Sequence, residues 1–61
     1  MTPRITSLGV DHAAGTKIAT DEHGGIWTIY HRHRDRLNRV WLWARDGAGR
    51  FIGFRKENVN D

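Results

Sequence analysis

The sequence predicts an all-β domain, and three observations carry that prediction. No segment of ten residues or more has the 3.6-residue apolar spacing of an amphipathic helix. Instead, short runs rich in β-branched and aromatic residues recur, among them Gly25–Arg32 (GIWTIYHR) and Arg39–Arg45 (RVWLWAR). Between them lie turn signals: Asp21-Glu22-His23-Gly24-Gly25 and Asp46-Gly47-Ala48-Gly49.

Length bounds what such strands can build. Sixty-one residues make one domain at most, and a chain this short buries only about 60% of the surface its unfolded form exposes. It has no cysteine, so neither a disulfide nor a thiolate metal site can staple it. Three Trp, two Phe and one Tyr supply large area per buried side chain. No run is long enough to cross a bilayer, and no apolar run of signal-peptide length follows Met1. The expectation is a cytoplasmic protein without membrane contact.

Taken in order, residues 1–14 read as an N-terminal tail, since Ile5, Leu8 and Val10 fit neither a helical nor an alternating pattern. Residues 15–61 read as the folded unit. Gly15–Thr20 is a first strand with Ile18 inward, and Gly25–Arg32 a second. In the second strand, alternation places Trp27, Ile29 and His31 on one face and Ile26, Thr28, Tyr30 and Arg32 on the other. His31–Asn38 (HRHRDRLN) is a polar connection that extends the neighbouring strands, with Arg32, Arg34 and Arg36 at period two. Arg39–Arg45 is the third strand and Arg50–Lys56 the fourth. Lys56-Glu57-Asn58 reads as a short 3-10 turn leading into Val59 as a fifth strand.

The turn at Asp46–Gly49 admits two registers. A two- or four-residue loop pairs Trp43 with Ile52 and Trp41 with Phe54. A three-residue loop with a glycine bulge pairs Ala44 with Ile52 and Leu42 with Phe54, leaving Trp41 and Trp43 on the other face with Phe51. The second is favoured, because it keeps Arg39 and Arg45 out of a core where an unpaired charge is costly.

Trp41-Leu42-Trp43-Ala44-Arg45, a loop, then Gly53-Phe54-Arg55-Lys56-Glu57-Asn58-Val59 resembles the second half of an SH3 domain, whose signature runs W-W-x-A-R, a loop, G-x-I-P-x-N-Y-V. The opening Gly15-Thr16-Lys17-Ile18 and the Gly-Gly-Ile-Trp-Thr-Ile strand are similar to bacterial SH3-like barrels. The resemblance implies a small five-stranded SH3-like barrel with a 3-10 turn before its last strand, with Ala44, Phe54 and Val59 in the core and Trp41 at the ligand groove. Arg55 stands at the groove proline and Asn58 at the groove tyrosine, so proline-rich peptide binding is not implied with the fold.

Charge is divided unevenly. The net is +3, with −1 in residues 1–30 and +4 in residues 31–61, so the C-terminal half suits an anionic partner. In the favoured register Arg39, Trp41, Trp43, Arg45, Phe51 and Arg55 share one sheet surface, near Arg32, Arg34 and Arg36. Aromatic rings stack on bases and guanidinium groups neutralise phosphates, so these nine residues are the expected nucleic-acid interface. The same residue types dominate protein interfaces, and an acidic protein surface is the alternative partner, for a module or small regulatory subunit docking on a larger protein. Edge strands leave pairing into a homodimer open. His31-x-His33 offers two imidazoles, short of the three or four ligands zinc takes. No nucleophile–base–acid set is present. The chain is expected to be non-enzymatic and to need no cofactor or metal.

Overall fold

The computed structural model describes residues 2–59. Five strands follow one another: β1 (Ile5–Asp11), β2 (Thr16–Asp21), β3 (Ile26–Arg34), β4 (Val40–Arg45) and β5 (Phe51–Arg55), then a 3-10 turn over Lys56–Asn58. Each is antiparallel to the next, in the order β1-β2-β3-β4-β5, and the sheet curls into a half-barrel. β1 and β5 do not pair, so the curl stays open.

The concave face holds the core. Trp27 is 1% exposed, and Ile5, Ala19, Ala44 and Ile52 cluster around it, with Leu8, Ile29, Phe54 and Val59 packed on their margin. Burying an indole that completely gives a chain of this size much of its apolar stabilisation. The β4–β5 register pairs Ala44 with Ile52 and Leu42 with Phe54. Asp46 N–H donates to the Arg50 carbonyl at 3.0 Å, and Gly49 closes the three-residue loop at φ 85°.

Two of the expected elements differ. Residues 5–11 are no tail but the edge strand of the sheet, with Ile5 buried. Pairing runs Ile5 to Asp21 and Ser7 to Thr20, so Thr6 is an inserted bulge residue. The bulge shifts parity, which lets Ile5 and Leu8 face the same core from positions three apart. Val59 is extended and packs on the core, but lies outside the five strands, so β1 takes the place expected for it.

All four turns are held by an aspartate at the end of the incoming strand. The Oδ1 atoms of Asp21, Asp35 and Asp46 each accept the backbone N–H groups two and four residues on, at 2.7–3.0 Å. Asp11 Oδ1 accepts those of Ala13 and Ala14 at 3.1 and 3.2 Å. A carboxylate is a strong acceptor for turn N–H groups that would otherwise lack a partner. In each turn a residue at positive φ follows: Gly15, Gly24, Asn38 or Gly49.

Candidate functional site

A second bulge shapes the convex face. β3 pairs Ile29 with Ala44 and then His31 with Trp43, leaving Tyr30 inserted between them. Before the bulge Trp27 and Ile29 face inward. After it the parity inverts: His31 and His33 pair with the outward Trp43 and Trp41, and Arg32 and Arg34 with the inward Leu42 and Val40. The alternation expected from sequence, with His31 on the face of Trp27 and Arg32 on the face of Tyr30, is corrected by this one residue.

The outcome is two groups of outward rings, Tyr30 with Phe51 and His31 with His33 and Trp43. Trp43 lies flat over Gly53, its cross-strand partner, where a Cβ would fall 2.6 Å from the ring's Cη2. Only a glycine leaves the indole that seat. The His33 ring is nearly parallel to Trp43, at 15° and 6.3 Å between centroids, and His31 stacks on His33 at 5.8 Å. Trp43 Nε1–H donates to His33 Nδ1 at 3.2 Å. Tyr30 meets Phe51 edge to face at 5.9 Å; they are 51% and 62% exposed, although large apolar rings are ordinarily sheltered.

Trp41 closes the other end of this face. Its Nε1–H donates to Asp35 Oδ2 at 2.9 Å, and the same oxygen accepts Arg39 Nε at 2.8 Å. The Trp41 N–H, the Arg39 backbone N–H and the Arg39 guanidinium hold the Asp35 carboxyl well below the usual carboxylate range. Arg39 is thereby committed to Asp35 rather than offered to a ligand.

The nine residues singled out in the sequence therefore fall into three groups. Trp41, Trp43, Arg45, Phe51 and Arg55 share the convex face by register, with Arg39 at its end. Arg32 and Arg34 lie on the concave side, where Arg34 donates to Asn38 Oδ1 at 3.1 Å. Arg36 is exposed in the β3–β4 turn. Arg55 is 3.3 Å from Glu57. Among the described residues no carboxylate pairs with Arg32, Arg34, Arg36 or Arg45. Sequence reasoning missed Tyr30, His31 and His33 as members of the face. The available signal was Gly53, a glycine inside a strand, which often marks the close approach of another group.

Among the described residues no three His, Asp or Glu side chains come together as a metal site, so the two stacked imidazoles stand without further ligands. The fold and face define a small all-β domain whose convex surface is aromatic and flanked by cations. Compared with known proteins, the chain matches no family, no curated protein and no solved structure. The resemblance to SH3 domains is thus a likeness of sequence pattern.

Proposed function

We propose that the chain is a non-enzymatic binding domain whose convex face takes single-stranded nucleic acid. The observation that carries this reading is the row of outward rings, Phe51, Tyr30, His31, His33, Trp43 and Trp41, beside Arg45 and Arg55. Exposed π-faces stack on bases without regard to sequence, each worth roughly 1–3 kcal/mol. Cations nearby contact the backbone, so binding weakens as salt rises. A flat stacking surface suits unstacked bases, which present their faces, better than a duplex, which hides them.

The test is a titration of labelled single-stranded DNA, single-stranded RNA and duplex DNA at ~50 mM salt, where phosphate contacts are strong. Both single strands bind more tightly than duplex, and Phe51→Ala lowers their affinity roughly five- to 150-fold, the factor equivalent to one stacked base. Phe51 is exposed and outside the core, so the variant stays folded. Absence of single-strand binding at this salt overturns the proposal. Stoichiometric, nuclease-resistant recovery of one acidic protein in its place assigns the face to a protein partner.

A further inference from the structure

The concave face carries a second surface that the reading above leaves unused. Because β1 and β5 do not pair, the half-barrel opens beside the core into a cavity of about 350 Å³. It is lined by the apolar Leu8, Ile29 and Leu42, by the cations Lys17, Arg32 and Lys56, and by Tyr30 and His31. Leu8 and Ile29 are only half-buried, although they pack on the core cluster. The bulge at Tyr30 is what brings Arg32 here, by turning it to the side of Leu42.

Three features distinguish this cavity from a gap in packing. Its size lies within the range of small-ligand sites, about 300–1,000 Å³. All three rim cations lack a carboxylate partner among the described residues. No acidic side chain lines the cavity, so nothing of the protein's own opposes the positive field at its mouth.

We propose that this cavity binds a medium-chain aliphatic carboxylate. The alkyl chain covers Leu8, Ile29 and Leu42, removing apolar surface from water. The carboxylate lies at the mouth, where the Arg32 guanidinium has the planar fork that matches it. Lys17 and Lys56 add positive charge on either side. The apolar floor and the three cations are distinct from Trp41, Trp43 and Phe51, while Tyr30 and His31 line the cavity as well as joining the row of rings.

The experiment is a ¹H–¹⁵N chemical-shift titration of the intact chain with octanoate below its micellar concentration. Octylammonium and 1-octanol serve as probes of the same length and different head charge. Saturable shifts at Leu8, Ile29, Arg32 and Leu42 are expected with octanoate. Affinity falls at least tenfold for octylammonium and for an Arg32→Gln, Lys56→Gln double variant. Both side chains are exposed, so the spectrum of the free variant reports a retained fold. The proposal is overturned if octanoate gives no saturable shift, if octylammonium binds as well, or if the shifts fall on Trp43 and Phe51 instead. A double variant that keeps its fold and its octanoate affinity also overturns it.

Discussion

The β2–β3 and β3–β4 hairpins are built on one plan and used for opposite ends. Each begins with an aspartate that ties the turn through Oδ1 and, through Oδ2, receives the indole N–H of a tryptophan six residues on. Asp21 accepts Trp27 Nε1–H at 3.0 Å, and Asp35 accepts Trp41 Nε1–H at 2.9 Å. The three-residue loop fixes the parity, so aspartate and tryptophan always leave the ribbon on the same side. The first hairpin points that side into the core, where Trp27 is buried. The second, after the Tyr30 bulge, carries it on the convex face, where Trp41 is half-exposed. A local sequence unit thus fixes how an indole is held, while the bulge between the units contributes to deciding what the indole faces. The satellite contacts follow the same division: the Arg50 guanidinium lies over the buried Trp27 ring, 5.4 Å from its centroid, whereas Arg39 joins Trp41 on its aspartate.

The largest contrast between the two hairpins is expected from removing the indoles. Trp27→Ala empties the centre of the core and should cost about 3–5 kcal/mol. That is comparable with the whole stability of so short a chain, at about 0.05–0.15 kcal/mol per residue, so the variant should lose its cooperative urea transition. Trp41→Ala removes a half-exposed ring from the outer face and should keep a cooperative transition at a lower midpoint. Equal losses in the two variants would mean that the convex hairpin is as much a part of the core as the other.

Acid should separate the pair next. Hydrogen bonds from Trp27 and from the Gly25 and His23 backbone hold the Asp21 carboxyl below its usual range, and Asp35 is held further below it by Trp41 and Arg39. At Asp46 burial works upward, but bonds from the Arg50 backbone and guanidinium outweigh it. A carboxyl depressed in the fold contributes stability that is complete above its unfolded pKa of about 3.9 and is lost as pH falls through the folded value. The urea midpoint should therefore be flat near neutrality and decline below about pH 4. Asp35→Asn should flatten that decline more than Asp21→Asn, because the shift it removes is larger. An unchanged slope in Asp35→Asn would show that the Trp41–Asp35–Arg39 cluster is not formed in solution.

How far this plan was legible follows from the bulges. The existence of strands β2 to β5 and the β4–β5 register were readable, because short β-rich runs alternate with turn signals and unpaired arginines cannot share a core with apolar groups. The facing of β2 was not: Ala19 lies in the core beside Trp27, and Ile18, expected inward, pairs with Thr28 on the other parity. Alternation fails wherever a residue is inserted. Thr6 makes Ile5 and Leu8 share a face at spacing three, so β1 looked like an unpatterned tail. Tyr30 sends His31 outward and Arg32 inward, so one ring of the convex face and one cation of the cavity rim were placed on the wrong sides. A bulge is decided by the partner strand, which a single run of sequence does not contain. The repeated aspartate was present in plain letters. Asp21, Asp35 and Asp46 are each followed three residues later by Gly or Asn, and two of them six residues later by Trp. Read singly, they pass for ordinary turn acids.

The smallest contrast lies at the positive-φ positions of the same two turns. Gly24 stands at φ 79° and Asn38 at φ 64°, where an ordinary side chain crowds its own backbone. Gly24→Ala should cost about 1 kcal/mol, since the left-handed strain outweighs the entropy removed from the unfolded chain. Asn38→Ala should cost a similar amount. Asn38→Gly sets two small terms against each other: it relieves the residual strain of asparagine, but adds about 0.4–1 kcal/mol of unfolded-chain freedom. It also forfeits the exposed contact with Arg34, 3.1 Å long and weak in water. The net change in the urea midpoint should be close to nil. A Gly variant as destabilised as the Ala variant would instead show that the asparagine side chain itself holds the β3–β4 turn, and that the two hairpins differ in their loops as well as in the faces they serve.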